Sequence, residues 1–286
     1  MIRTVGYVAL FAVSYLLAVY VTFPWDSVKE RVLQLASKQL RREITAKSLE
    51  PSWLTGIHAE KVEIDLQGSE EPMAFETVDA RASVFSFLTG GYGGTLQLPI
   101  GGGQVRASAS GGQEKVAVDL DAKAVELALV PALRASTGLA LAGELGIDAE
   151  LDLGLQDPQQ SQGSIRLTGQ GLETLKGGKA GNYPIPELNL GDLDWNLPVE
   201  NGKVIIRNQR LEGPDLSLML DGEIVLAKPP NRSLVNLTAK FKPTPEFLKR
   251  EPLMASLLKN IDRYKGSDGF YGYQISGTVK RPPPRA

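Results

Sequence analysis

The stretch that decides the fold is "GLALAGELGIDAELDLGLQ", residues 138–156. From Leu139 its odd positions read Leu139, Leu141, Gly143, Leu145, Ile147, Ala149, Leu151, Leu153 and Leu155. Its even positions include Glu144, Asp148, Glu150, Asp152 and Gln156. A two-residue period with one apolar and one wet side belongs to a strand covered on a single face. Ordinary strands run about 5–6 residues, whereas this one holds register for roughly 17, or about 56 Å at about 3.3 Å per residue.

The alternation recurs along the chain. Val62, Ile64 and Leu66 alternate with Glu63 and Asp65. Leu96, Leu98 and Ile100 lead into "GGG" (101–103), and Val105, Ala107 and Ala109 follow, which predicts a hairpin. Val116, Val118 and Leu120 make one short run, and Val125, Leu127 and Leu129 another. Leu216, Leu218, Leu220, Gly222, Ile224 and Leu226 form a second long one. Val235 to Phe241 and Tyr271 to Val279 complete the series. The second face of nearly every run is polar, as in antiparallel sheets with one solvated side. No strand–helix alternation is visible, so a doubly wound fold is not expected.

The expected fold is therefore mainly β: a long curled antiparallel sheet, groove- or taco-like, with helices at its ends. A sandwich would bury the leucines under an opposing sheet, but it has no need of registers this long. The alternative is an apolar trough whose floor is Leu139, Leu141, Leu145, Ile147, Leu151 and Leu153 with Leu216, Leu218, Leu220, Ile224 and Leu226. Exposed apolar surface on that scale marks a binding site. Beside a membrane, phospholipid acyl chains are the expected occupant.

Val5 to Phe23 is an uncharged run of 19 residues, with Val5, Leu10, Leu16, Leu17, Val21 and Phe23 along it. As a helix it spans about 28 Å, close to the hydrocarbon core of about 30 Å. Arg3 precedes it, and the positive-inside rule leaves the N-terminus cytoplasmic. Signal peptides have shorter cores and a small-residue exit; this run ends Tyr20-Val21-Thr22-Phe23, so an uncleaved anchor is expected.

Residues 1–24 are thus read as N-terminus and anchor, and 25–43 as an amphipathic helix. That helix either plugs the sheet or lies on the membrane. Residues 44–282 form the β-rich domain, and 283–286 the tail. Within the domain a late helix covers about 244–265, capped by Thr244-Pro245 and split at Pro252, and it carries Leu253, Leu257, Leu258 and Ile261.

Composition narrows the chemistry. Net charge is −2, cysteine is absent, and His58 is the single histidine. That excludes thiol catalysis, Cys-ligated zinc, iron–sulfur centres and multi-histidine metal sites. It also leaves no concentrated basic field for nucleic acid. No catalytic residue, metal or cofactor is expected. "TGGYGGT" (89–95) and "GGGQ" (101–104) lack the helix and Lys-Ser/Thr pair of a phosphate loop and read as hairpin turns. Asp119 and Asp121, and Asp148, Glu150 and Asp152, read as solvated decoration. His58 falls at a turn into the first strand, and Trp53 and Trp195 close the core ends.

Three segments carry a resemblance: "GNYPIPELNLGDLDWNLPVENGKVIIRN" (181–208), "LEGPDLSLMLDGEIVL" (211–226) and "DGFYGYQISGTVKRP" (268–282). They resemble the type II secretion system protein N family of Gram-negative bacteria, in its branch with a long β-rich periplasmic part behind an anchor. Residues 28–66 and 129–151 are also similar to the AsmA and TamB group of repeating β-groove proteins. The resemblance implies a non-enzymatic inner-membrane accessory of the type II secretion machinery, single-pass, with its bulk periplasmic and other secretion subunits as partners. The alternative it implies is a lipid-binding or lipid-transfer protein of the envelope.

Overall fold

The computed structural model describes residues 43–52, 55–65, 72–83, 86, 90–180, 183–260, 262–279 and 284–285, with 30, 33, 34, 37 and 38 near the start. The strands are β1 (Ile44–Ser52), β2 (Gly56–Ile64), β3 (Met73–Ala82), β4 (Tyr92–Ile100), β5 (Gly103–Gly111), β6 (Lys115–Glu126), β7 (Leu141–Gly154) and β8 (Gln162–Thr174). They continue with β9 (Lys179–Ala180), β10 (Tyr183–Pro184), β11 (Leu188–Glu200), β12 (Lys203–Glu212), β13 (Leu216–Val225), β14 (Leu234–Pro243), β15 (Tyr271–Thr278) and β16 (Pro284–Arg285). The helices are α1 (Pro131–Thr137), α2 (Pro245–Arg250) and α3 (Pro252–Lys259).

Fourteen strands form one antiparallel sheet in chain order, and the β9–β10 hairpin stands outside it. Each strand bonds to its predecessor and successor, a meander that follows from short turns between one-sided strands. Among the described strands, close packing runs between sheet neighbours and, in addition, between β11 and β13. Among the described residues the strands make one large sheet, with only the β9–β10 hairpin as a second.

The sheet is open at both edges, and both edges are blunted. The Ile44 amide donates to Ser37 Oγ (3.1 Å), and β16 lays Pro284 beside Ile275 of β15. A proline on an edge strand offers no N–H to a further strand.

Several boundaries differ from the sequence reading. β7 begins at Leu141, so Leu139 precedes it. Pro131 opens α1, and Gly138, at φ 75°, closes it in the left-handed conformation. Seven helical residues are too few to show a period. Val125 is no separate strand. It continues β6 beyond Ala124, whose positive φ of 51° marks a bulge, and Leu127–Leu129 is a 3₁₀ turn. Tyr92 to Thr95 belong to β4 rather than a turn. His58 lies within β2, and β1 precedes it.

The late helix divides at Pro252 as expected, and Thr244 Oγ1 accepts from the Phe247 amide (3.3 Å). Glu30, Leu33, Gln34, Ser37 and Lys38 are helical. Among the described residues no helix is long and apolar enough to cross a membrane. The expected anchor, with Val5, Leu10, Leu16, Leu17, Val21 and Phe23, lies outside them.

Because strand directions alternate, the connections sort to two ends. α1, α2, α3 and the start of β1 share one end; the turns at 112–114, 201–202 and 226–233 share the other.

Candidate functional site

Antiparallel partners point to the same side of a sheet, so the register traces each face directly. One cross-strand row reads Ala82, Gly94, Ala109, Val118, Leu151, Gly163, Val199, Val204, Ile224, Val235 and Gly277. It passes from β3 to β15 without a polar side chain. At about 4.8 Å per strand it measures about 48 Å. A parallel row reads Leu98, Val105, Ala122, Ile147, Leu167 and Trp195. A third alternates large and small residues: Ile57, Ala80, Leu96, Ala107, Leu120, Ala149, Ile165 and Leu197. The two long alternating runs of the sequence are thus parts of one apolar floor.

Coverage of the floor separates an open trough from a packed core. Leu139, Leu141, Leu145, Ile147, Leu151 and Leu153 are each half-buried, and so are Leu216, Leu218, Leu220, Ile224 and Leu226. Val199, at 2 % exposure, and Leu197, Val204 and Ile206 are buried, packed by Leu151 of β7 at one side and Leu237 of β14 at the other. A bridge from Lys228 Nζ to the Leu155 carbonyl (2.9 Å) ties the β13–β14 loop back to the β7–β8 loop.

Backbone pairing is sparse at the junction of β11 and β12. These strands share two backbone-paired positions, Val199–Val204 and Glu200–Lys203, and then diverge. Side chains span the divergence: Trp195 Nε1 donates to the Arg210 carbonyl (2.7 Å), and Gln209 Nε2 to the Asn196 carbonyl (3.0 Å). Trp195 thus packs against the buried cluster of Leu197, Val199, Val204 and Ile206 and also bridges this seam; Trp53 lies outside the described residues.

At the helix-bearing end Asp215 latches the opening. Its carboxylate accepts from the Asn189 amide (2.7 Å) and from Arg250 Nη2 of α2 (2.6 Å). Burial opposes the Asp215 charge, but Arg250 and the Asn189 amide outweigh it, and the carboxyl sits below its ordinary value. Phe247 of α2 is buried at 2 % exposure. Phe241 stacks on Tyr271 at 5.4 Å, and the Tyr271 hydroxyl donates to Asp262 (2.7 Å). This end of the trough has an aromatic wall.

The opposite face is a polar ladder. One row reads Glu50, His58, Asp79, Gln97, Arg106, Asp121, Asp148, Arg166 and Asn196. His58 Nδ1 lies 2.8 Å from Asp79 Oδ1, and that hydrogen bond raises the imidazole pKa. Three acid pairs stand directly opposite across β6 and β7: Asp119–Glu150, Asp121–Asp148 and Glu126–Glu144. Asp121, Asp148, Gly146 and Thr168 line an open depression of about 410 Å³, where short side chains leave the polar surface low. Among the described residues no group of three ligand-type side chains could hold a metal ion.

The structure thus places the predicted floor residues on one continuous face, apart from Leu139, which flanks it. Fold and face together define one open antiparallel sheet, apolar on one side and charged on the other. Comparison with family models, with curated proteins and with solved structures gives no match.

Proposed function

We propose that this chain is a non-enzymatic envelope protein whose apolar trough takes up phospholipid acyl chains, held at the inner membrane by its N-terminal apolar run. The observation that carries the reading is the half-buried state of the leucine floor on one large open sheet. An extended apolar surface of this kind in water favours an apolar occupant. An acyl chain is itself long, narrow and flexible, and it lies along a curled floor without needing hydrogen bonds.

The test is lipid capture in cells. A photoactivatable residue placed at Ile147 or Leu218 should give adducts with phospholipid on irradiation, while one at Ser164 on the polar face should not. Adducts with polypeptide alone at both floor positions would overturn the reading.

A role for this trough within the type II secretion apparatus rests on the resemblance of residues 181–226 and 268–282. Its test is deletion of the gene, which should lower the amount of secreted enzymes in the medium. Unchanged secretion removes that role and leaves lipid uptake standing.

A further inference from the structure

The connection between β14 and β15 carries a surface that the trough does not use. α3 buries Leu258 at 6 % exposure and half-buries Met254 and Ala255. Its outer side carries Leu253, 67 % exposed, and Leu257, 40 % exposed, one turn apart. Tyr264, 40 % exposed, follows just beyond the helix. An eight-residue helix with apolar side chains both inward and outward is unusual for a free surface, where polar residues normally face water.

The rim carries four cations, Lys249, Lys259, Arg263 and Lys265. Lys249 and Lys259 are exposed, and among the described residues neither forms an ion pair. The Arg263 guanidinium lies 4.8 Å from the centroid of the Tyr264 ring. Lys265 Nζ sits 5.6 Å from the Tyr271 ring, at the aromatic wall of the trough. Of the nearby carboxylates, Asp215 and Asp268 pair with Arg250 and Lys240 and Asp262 accepts from the Tyr271 hydroxyl, while Glu246 and Glu251 flank the start of α3 without an ion pair among the described residues. Exposed leucines and a tyrosine with lysine and arginine along the C-terminal side of the patch match the boundary of an anionic bilayer. Apolar side chains enter the acyl region there, and cations meet the headgroups.

Chain topology places this surface at the end where β1 begins. The apolar run Val5–Phe23 ends 21 residues before Ile44 in the sequence.

We infer that α3 and the following turn dock on an anionic membrane surface and set the mouth of the trough, beside Phe241 and Tyr271, against the lipid. Docking stands on the exposed patch itself; its service as a loading port rests on the acyl-chain reading above.

The absence of cysteine from the chain makes the test clean. Ser256→Cys on α3 and Ser110→Cys at the far end of β5 are each labelled with an environment-sensitive fluorophore in the full chain. The labelled protein is reconstituted in vesicles of phosphatidylglycerol and phosphatidylethanolamine, or of phosphatidylcholine alone. Spin-labelled lipid should quench the Ser256 probe at least several-fold more than the Ser110 probe in the anionic vesicles. The difference should shrink in phosphatidylcholine and in the Leu253→Asp/Leu257→Asp double variant. Equal quenching at both ends, or quenching indifferent to the double variant, overturns the inference. So does disulfide coupling of Ser256→Cys between two copies without quenching, which makes the patch a self-association surface. Lipid content of the same samples is read by mass spectrometry. Quenching without bound lipid refutes the trough as a carrier and retains the docking; bound lipid without quenching does the reverse.

Discussion

Ile147→Asp separates an open trough from a covered core. Ile147 lies in the row between Ala122 and Leu167, half-buried, while Ala122 beneath its flank is buried at 6 % exposure. Full burial of such a side chain contributes about 1.5–3 kcal/mol. Since the side chain is only half-buried, roughly half of that is at stake, about 0.8–1.5 kcal/mol. An aspartate there keeps its carboxylate in water, so no further desolvation is added. Were the residue roofed, the carboxylate would be buried unpaired, at more than about 4 kcal/mol. Val199→Asp supplies that second case within the same molecule, since Val199 is 2 % exposed. Urea unfolding followed by tryptophan fluorescence measures both, with Trp195 two strands from Ile147 in its own row. Ile147→Asp should unfold cooperatively with a modest fall in midpoint and should carry less lipid, whereas Val199→Asp should fail to fold. A loss beyond about 4 kcal/mol for Ile147→Asp, or undiminished lipid in that variant, refutes the open trough.

Three more outcomes are expected. Asp215→Asn leaves Arg250 and the Asn189 amide without a charged acceptor, and should cost roughly 2–4 kcal/mol in a denaturation series. Because the Asp215 pKa is lowered in the folded chain, its contribution is present above the unfolded value of about 3.9 and lost as pH falls through the folded one, so Asp215→Asn should flatten the acid limb of the stability curve. His58 behaves oppositely: its pKa is raised, so its contribution is full below about 6.5 and lost as pH rises through the folded value. As the single histidine it gives one imidazole signal in NMR, which should titrate above the ordinary value and return toward it in Asp79→Asn; both groups are partly exposed, so the stability at stake is below about 0.5 kcal/mol. Gly163→Ala, at φ 143° and with its added Cβ 2.1 Å from the Glu150 carbonyl oxygen, should lower the urea midpoint by the equivalent of roughly 2 kcal/mol, and an unchanged midpoint would mean that β7 and β8 part easily there.

What the sequence showed and what it hid have separate physical causes. The apolar face was legible because period-2 alternation survives wherever strands run regularly, as in β7 and β13. Bulges broke the pattern elsewhere. The positive-φ residues Lys61, Ala124 and Asn208 each occur where the apolar side advances by an odd step, and this hid the unity of β6. β1 was missed because Lys47, Ser48, Glu50 and Pro51 leave too few apolar positions to alternate. Cross-strand partnership, which joins the runs into one floor, is a matter of register that single strands do not carry. The outward leucines of α3 were named by sequence, but as one stripe with Leu258. Helical spacing groups them, and only the fold decides which of them meets water. The Asp215 latch had no local signal, since Asn189 and Arg250 lie 26 and 35 residues away.

The junction of β11 and β12 divides the molecule into two ladders stitched mostly by side chains. Within each ladder, widening the trough would mean breaking a row of main-chain hydrogen bonds together. At the junction it means rotating Trp195 and Gln209 away from two carbonyls while Val199–Val204 and Glu200–Lys203 act as the pivot. Parting β11 from β12 therefore disturbs fewer paired backbone positions than parting β7 from β8, and at the helix-bearing end the Arg250–Asp215 contact is a further bond to be undone.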